Sequence, residues 1–276
     1  MSAEIQLDDH STIIERGRYH MVVSLVVVLA FVAWLIHAFA VSDIEWKYVS
    51  HFLMVRTIMQ GVAATLLMAI SAMMLGIVIG LTFAIVQQSG NPVWKTVAAG
   101  YVWLFRGTPV ILQLLLWFNL ALVFPHIWVP GYGSVQTVQL MTPFLSALLG
   151  LGLNQGAYIT EIMRSGLTSV DRGQYEACCM IGMTRLLALR RVILPQALRV
   201  VIPPLGNEFI SMIKLTSLSS MIQYPEILHS AQNIYYANAR VIELLLVTGF
   251  WYLTIVTVLM PVQYFLEKRI NRGWSG

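Results

Sequence analysis

A charged segment, residues 164–191, lies between two long apolar runs of this sequence. Its five arginines are Arg164, Arg172, Arg185, Arg190 and Arg191, and they accompany the carboxylates of Asp171 and Glu176. Guanidinium and carboxylate groups make strong, directional hydrogen bonds, so such a segment can bind and orient a protein partner. The sequence has no P-loop, no H-E-x-x-H and no G-x-S-x-G. We therefore expect the segment to bind a partner rather than to catalyse a reaction.

Long uncharged runs dominate the rest of the chain. Residues 57–94, 107–160 and 244–266 contain no Asp, Glu, Lys or Arg. The sequence is 58% hydrophobic and 11% charged, whereas a soluble domain has roughly a quarter of charged residues. A helix needs about 20 apolar residues to cross the hydrocarbon core of a membrane. The fold class is therefore predicted to be all-α, a polytopic membrane protein of about six transmembrane helices.

The six predicted spans can be placed along the chain and oriented. They cover residues 21–41, 57–86, 97–123, 139–163, 193–215 and 243–266. Loops rich in Lys and Arg stay in the cytoplasm. One side of the predicted topology holds Arg16 and Arg18, Lys95, the five arginines of residues 164–191, and Lys268, Arg269 and Arg272. The outer loops, residues 42–54, 124–138 and 216–240, hold only two basic residues, Lys47 and Arg240. This asymmetry puts both termini in the cytoplasm.

The first span, residues 21–41, could be mistaken for a secretion signal, because Ala38-Phe39-Ala40 resembles a cleavage site. Its apolar stretch is long, however, and the residues before it are not strongly basic. We therefore expect an uncleaved anchor helix.

Residues 171–191 carry the start and stop signals of two short helices. Asp171 can cap the first helix, with Gln174 three residues later in a capping box. Gly182 can end that helix with a left-handed backbone, and Thr184 can cap a second helix that runs to Arg191. We call this segment, residues 171–191, the knob; two helices joined at a glycine can transmit a rigid-body movement. The alternative is an ordinary basic loop kept only for topology.

No metal or cofactor is expected on this chain. Cys178 and Cys179 are adjacent and lack metal-site spacing, and the six histidines are scattered along the sequence. The net charge of +4 is small, and no motif indicates a nucleic-acid partner.

The knob resembles the EAA loop of ABC importer permeases, and further matches to the polar amino acid permeases follow in order over residues 55–266. The loop matches are Glu176-Ala177-Cys178, Gly182 and Ile193-Leu194-Pro195. The others are Arg106-Gly107-Thr108-Pro109, Gln113, Tyr158, Glu161, Arg164, Gly166, Ser169-Val170, Gly173-Gln174, Arg191-Val192, Gln196-Ala197, Arg199, Pro203-Pro204, Asn207, Lys214 and Ser217-Leu218. Cys178 departs from the usual second alanine, a nearly isosteric change.

This resemblance implies a type I ABC importer permease core with a MetI-like fold over residues 55–276. Residues 1–54 would add a cytoplasmic segment, the anchor helix and an outer loop. The chain would import polar amino acids across the bacterial inner membrane by alternating access. Its expected partners are ATP-binding subunits, a periplasmic solute-binding protein, and a second permease subunit that is identical or related. ATP would be hydrolysed on the separate subunits, so the chain itself is not expected to be an enzyme.

The same resemblance assigns ATPase docking to the knob. The expected docking residues are Asp171, Gly173, Gln174, Glu176, Ala177, Cys178 and Gly182. Two other classes of protein fit part of the pattern. A secondary carrier or channel for small polar solutes would explain the spans and the intramembrane charges, but not the capped knob. An intramembrane enzyme would need paired catalytic residues, which the sequence lacks.

Ionisable residues inside predicted spans are costly to bury and usually face a cavity or a partner. Asn207, Glu208 and Lys214 follow Pro203-Pro204, which is expected to interrupt the fifth span and free backbone carbonyls. We expect these three residues either to line the substrate pathway or to have a structural role. For Arg106, Glu161 and Arg164, near the inner span ends, snorkelling or ion pairing is favoured over the pathway.

Overall fold

The computed structural model describes residues 18–271 and divides the chain into two units between Trp46 and Lys47. The first part of the chain forms α1 (Arg18–Val41), α2 (Trp46–Phe52), α3 (Arg56–Gln87), α4 (Pro92–Gly107) and α5 (Val110–Phe118). A 3-10 turn (Leu120–Leu122), strands β1 (His126–Val129) and β2 (Gly133–Gln136), α6 (Thr137–Leu140) and α7 (Pro143–Thr168) follow. Two of the basic residues that oriented the spans, Arg16 and Arg272, lie outside the described residues.

The second part of the chain contains the charged segment and the last two predicted spans. It forms α8 (Arg172–Met180), α9 (Arg185–Ala188), a π-helix (Leu189–Ile193), α10 (Leu194–Leu215), a 3-10 helix (Thr216–Ile222), α11 (Ile227–Asn238) and α12 (Val241–Asn271). Helices dominate the described residues, which confirms the predicted all-α class.

Within residues 18–271, three helices are each long and apolar enough to cross a membrane: His20–Val41, Arg56–Gln87 and Val241–Ile270. They coincide with the first, second and sixth predicted spans. The helices at the fourth and fifth predicted spans, α7 and α10, are 26 and 22 residues long but more polar. Polar residues are tolerated at membrane depth where they face the protein interior or a cavity.

The third predicted span, residues 97–123, is not one helix. It is divided between α4 and α5, whose axes differ by 101°. Thr108 is extended, because a residue before proline avoids the helical region. Helix α5 begins directly after Pro109. Gln113 Nε2 donates to Phe105 O at 3.0 Å and to Thr108 Oγ1 at 2.8 Å, and Asn154 Nδ2 also donates to Phe105 O. The bend is therefore fixed by polar contacts with the freed carbonyl groups.

Two predicted outer loops also contain regular structure. Residues 124–138 hold the antiparallel hairpin of β1 and β2, with Trp128 opposite Ser134. Residues 216–240 hold the 3-10 helix and α11, and Ile227 and Ala231 of α11 are completely buried. These segments were expected to be loops because their runs are too short and too mixed for a span.

The packing of α3 against α7 forms the centre of the unit that begins at Lys47. Gly76 and Gly80 of α3 allow close approach, as the spacing of the two glycines predicts. A Cβ atom added to Gly80 would lie 2.5 Å from Cγ2 of Ile159 on α7, and one added to Gly76 would lie 3.1 Å from Cβ of Gln155. The two helices are therefore held at a separation that any larger residue would increase.

Replacement of Gly80 by Ala tests this packing. The added methyl group has no room beside Ile159, so we expect the free energy of unfolding to fall by about 1–3 kcal/mol. Gly249 of α12 is the matched control, because a Cβ atom there meets nothing within 4 Å. Thermal unfolding of the detergent-purified chain compares the two variants. Equal melting temperatures for Gly80→Ala and Gly249→Ala would contradict the close contact.

Candidate functional site

The first helix of the knob, α8, begins as the sequence predicts. Asp171 Oδ1 accepts a hydrogen bond from Gly173 N, which satisfies one of the free amide groups at the helix start. A Cβ atom on Gly173 would lie 2.9 Å from that same oxygen, so a larger residue there would disturb the cap. Gln174 does not complete the expected capping box. Its Oε1 instead accepts from Gln196 Nε2 of α10 at 3.3 Å, which connects the knob to α10.

The turn between α8 and α9 is also as predicted. Gly182 has φ +73°, and Met183 N donates to Cys178 O at 3.0 Å, a hydrogen bond that closes the end of a helix. Thr184 then caps α9 through its hydroxyl, which accepts from Leu187 N. The second helix was expected to reach Arg191 but ends at Ala188, where the π-helix begins.

The base of the knob is anchored by a small hydrophobic cluster. Val170, Ile193 and Ala197 are buried together; Val170 precedes α8, Ile193 ends the π-helix, and Ala197 lies in the first turn of α10. Gly166 of α7 packs against Cγ2 of Val201 on α10. The knob is thus attached to α7 and α10 by apolar packing as well as by the Gln174–Gln196 hydrogen bond.

Six of the seven predicted docking residues lie on the exposed surface of the knob, and Cys178 does not. Its side chain is 4% exposed, while its neighbour Cys179 is exposed. The tip of the knob carries large apolar side chains that the sequence analysis missed: Met180, Ile181 and Leu186 are 87%, 76% and 74% exposed. Apolar residues beside the helix-ending Gly182 are the sequence signal that could have identified them. Exposed apolar side chains of this size are typical of a protein interface.

A second group of predicted residues lies where α3, α4 and α7 meet. Arg164 Nη2 and Glu161 Oε2 form an ion pair at 2.7 Å, and Gln87 Nε2 lies 3.4 Å from Glu161 Oε1. The guanidinium of Arg106 lies over the ring of Tyr158, 4.9 Å from its centre. These residues bind one another across the three helices.

The predicted pathway residues lie on α10 but face different neighbours. Asn207 and Lys214 line a cavity of about 430 Å³ between α10 and α12, together with Ser211, Gln263 and Glu267. Glu208 instead contacts α7, where its Oε2 accepts from Gln155 Nε2 at 2.9 Å. The sequence analysis missed Ser211, Gln155 and the two α12 residues. The first two and Gln263 are uncharged, and Glu267 lies just beyond the last predicted span, so none of them belongs to a recognisable motif.

The expected interruption of the fifth span is wrong in one respect. Although Pro203 and Pro204 lie within it, α10 is continuous from Leu194 to Leu215. The prolines remove backbone donors, and Gln263 Nε2 lies 3.4 Å from Pro203 O. The side chain of Gln263 on α12 thus contacts a backbone carbonyl of the proline segment of α10.

Glu226 is a buried carboxylate between the fifth and sixth predicted spans. It caps α11, where its two carboxylate oxygens accept from Leu228 N at 2.9 Å and His229 N at 2.7 Å. The hydroxyl of Tyr252 on α12 donates to the same carboxylate. With three donors, this buried group is satisfied as a structural cap.

Comparison with known proteins settles the family. The model of the family "binding-protein-dependent transport system inner membrane component" matches residues 76–272. The chain belongs to this family. The match includes α7, the knob, α10 and α12, and it confirms the family that the sequence motifs predicted.

Curated relatives are permeases named for amino acids. The arginine transport system permease protein ArgU of Corynebacterium glutamicum is 39% identical over 91% of this chain and 80% of its own length. The L-cystine transport system permease protein TcyB of Bacillus subtilis is 38% identical over 77% of this chain and 86% of its own. The glutamine transport system permease protein GlnP of Escherichia coli is 33% identical over 78% of this chain and 93% of its own.

Solved structures share the fold. The crystal structure of an amino acid ABC transporter with histidines matches with a TM-score of 0.71 and 29% identity, over 83% of this chain and all of that chain. An inward-facing structure of the MetNI methionine ABC transporter matches with a TM-score of 0.60 and 17% identity, over 78% of this chain and 96% of that chain. These matches confirm the predicted ABC importer permease core.

The two adjacent cysteines test the orientation of α8. Cys178 is buried and Cys179 is exposed, so a maleimide should label the Cys178→Ser protein, which keeps Cys179, much faster than the Cys179→Ser protein. The double Ser variant is the control for background labelling. Mass spectrometry of the detergent-purified chain gives the labelled fraction with time. Equal rates, or faster labelling of Cys178, would contradict the orientation described here.

Proposed function

We propose that this chain is the permease subunit of an ATP-driven importer that moves polar amino acids from a periplasmic binding protein to the cytoplasm. The observation that carries this proposal is a knob with an exposed apolar tip, built on a chain of the transport family. The names of its relatives, for arginine, cystine and glutamine, support amino acids as the substrate class. The alternative function, an ATP-independent carrier, does not explain the knob.

The knob is the proposed docking surface for the ATP-binding subunits. Its outer surface offers Glu176 and Gln174 for polar contacts, and Met180, Ile181 and Leu186 as apolar anchors. Interfaces derive most of their binding energy from a few large side chains that are buried on association. Ala177 and Cys179 leave room for close approach, whereas the buried Cys178 has an internal role in this proposal.

Two further partners follow from the proposed function. A periplasmic solute-binding protein delivers the amino acid to the outer ends of the helices. A second permease subunit, identical or related, completes the pathway, since the cavity between α10 and α12 is open at the surface of this chain. ATP is hydrolysed on the ATP-binding subunits, so this chain supplies movement and recognition.

We place the chain in the bacterial inner membrane with both termini in the cytoplasm. The family comprises inner membrane components. Lys95, the arginines of residues 164–191, and Lys268 with Arg269 lie at the inner ends of the proposed spans, in agreement with the positive-inside rule. The permease core is assigned to residues 55–276, and the anchor helix α1 belongs to an additional segment, residues 1–54.

Asn207, Glu208 and Lys214 form the proposed substrate pathway. Lys214 binds the carboxylate of the amino acid, and Asn207 offers a polar group to its ammonium. Glu208, with Gln155, adds polarity on the α7 side. Arg106, Glu161 and Arg164 are assigned a structural role in this proposal, because their charged groups are engaged with one another and with Tyr158.

The mechanism follows from the attachment of the knob to α10. Closure of two ATP-binding subunits moves the docked knobs, and each knob moves α10, which carries the pathway residues. The pathway then opens to the outside, and it opens to the inside when the ATPases separate. Alternation requires that ATP and the binding protein bind the two conformations with different affinities.

The experiment is reconstitution of the chain with its ATP-binding subunits and binding protein in lipid vesicles. Gly182→Leu and Glu176→Arg should leave ATP hydrolysis measurable but reduce amino acid uptake at least about tenfold. Leucine is strained at the positive φ of Gly182, and the Glu176→Arg substitution reverses a charge on the docking surface. Gly100→Ala is the control, because a Cβ atom there meets nothing within 4 Å. Uptake without ATP by the chain alone, or normal uptake by both knob variants, would overturn the proposal.

A further inference from the structure

The cavity between α10 and α12 is built from two facing rows of side chains. Asn207, Ser211 and Lys214 lie at positions i, i+4 and i+7 of α10, which places them on one face of the helix. Met260, Gln263, Tyr264 and Glu267 form the opposing row on α12. The two helices are antiparallel, because Gln263 lies beside Asn207, whereas Tyr252, earlier on α12, contacts Thr216, just after the end of α10.

Gln263 is the central polar contact of this cavity. Its Nε2 donates to Asn207 Oδ1 at 3.0 Å and to Glu267 Oε1 at 2.7 Å. Gly206 lets the side chain approach α10, since a Cβ atom on Gly206 would lie 2.9 Å from Cδ of Gln263. Gln263 therefore fixes the Glu267 carboxylate relative to Asn207, on the opposite helix.

The charged groups of the cavity lie at its two ends. Seven residues separate Asn207 from Lys214, about 10 Å along a helix axis. Glu267 lies beyond Gln263 in the opposite direction, one helical turn further from Lys214. Among residues 18–271, neither Lys214 nor Glu267 has an ion-pair partner. The cavity thus offers a cation at one end, a carboxylate at the other, and Asn207, Ser211 and Gln263 between them.

We propose that Glu267, positioned by Gln263, is the cation-binding end of this cavity, so that the permease favours amino acids with a second, positively charged group at the end of a long side chain. This proposal rests on the proposed function and names its substrate class. Lys214 binds the α-carboxylate, and the aliphatic part of the substrate lies along Met260 and Tyr264, which are exposed to the cavity. The distal cation reaches the half-buried Glu267 carboxylate, where the opposite charges attract each other.

Selectivity between two isosteres follows from this arrangement. L-Arginine and L-citrulline have the same length and shape, but only arginine carries a charge at the end of its side chain. A site that pairs the distal group with a carboxylate should prefer arginine, whereas a site that recognises only the α-amino and α-carboxyl groups should not distinguish them. A neutral glutamine at position 267 should abolish the preference.

The test measures equilibrium binding of radiolabelled L-arginine to the detergent-purified complex of this chain with its ATP-binding subunits, without the binding protein. Unlabelled L-citrulline competes. The intact protein should prefer arginine by about tenfold or more. Glu267→Gln should weaken arginine binding by a similar factor and leave the affinity for citrulline unchanged. Glu267→Asp should restore part of the preference, and Lys214→Met should weaken both ligands alike.

Asp43→Asn is the control, because it removes a carboxylate that is not among the residues lining the cavity, and it should bind both ligands as the unaltered protein does. Equal affinities of the unaltered protein for the two amino acids would overturn the proposal. So would a Glu267→Gln protein that keeps the preference, or that loses both ligands equally. Failure of the proposed function is seen separately, as uptake into vesicles that does not depend on ATP.

Discussion

The continuous connection between the knob and α10 is the constraint on which the working of this protein depends. From Arg185 to Leu215 the chain passes from α9 through the π-helix into α10 without a loop residue. The buried cluster of Val170, Ile193 and Ala197 and the contact of Gln174 with Gln196 hold the knob against this helix. In the proposed mechanism, a force applied at the tip of the knob is thus transmitted to α10. π-Helical turns are uncommon overall but frequent at functional sites, and this one joins the knob to α10.

The proposed movement of α10 requires a fixed frame, and the packing of α3 against α7 is suited to provide it. Gly80 leaves no room for a Cβ atom beside Ile159, and Gly76 makes a tight approach to Gln155. The hydrogen bond from Tyr101 Oη to Leu153 O, at 2.6 Å, attaches α4 to the same frame. Against this frame, α10 presents Glu208 to α7 and Asn207 with Lys214 to α12. One helix therefore contacts two neighbours, and a small change in its tilt alters both sets of polar contacts.

The features that the sequence predicted well are those that depend on a few neighbouring residues. The cap at Asp171, the turn at Gly182 and the spacing of Gly76 and Gly80 are local backbone or packing rules, and the structure has all three. The long apolar helices could be predicted because each is one continuous apolar segment of the sequence. The docking and pathway roles of the predicted residues remain predictions, since they concern partners and substrate.

The features that the sequence could not predict depend on distant contacts. The bend at Pro109 separates two apolar runs that together have the length of a span, and Asn154 of α7 helps to hold it. Gln263 and Glu267 belong to the cavity only because α12 packs beside α10, more than 50 residues away along the chain. Gln174 fits a capping box by spacing, yet its side chain is engaged by Gln196. In each case a tertiary partner decided between alternatives that the local sequence left equal.

In the proposed function, the apolar tip of the knob binds an ATP-binding subunit. This binding is measured most directly by purifying the tagged chain in detergent from cells that produce the whole importer. The amount of the ATP-binding subunit that remains bound to the chain is then determined. Replacing Met180, Ile181 and Leu186 by serine should remove most of the retained subunit, while serine at the equally exposed Leu122 should not. If the triple variant retains as much of the subunit as the unaltered chain does, the tip of the knob is not the docking surface.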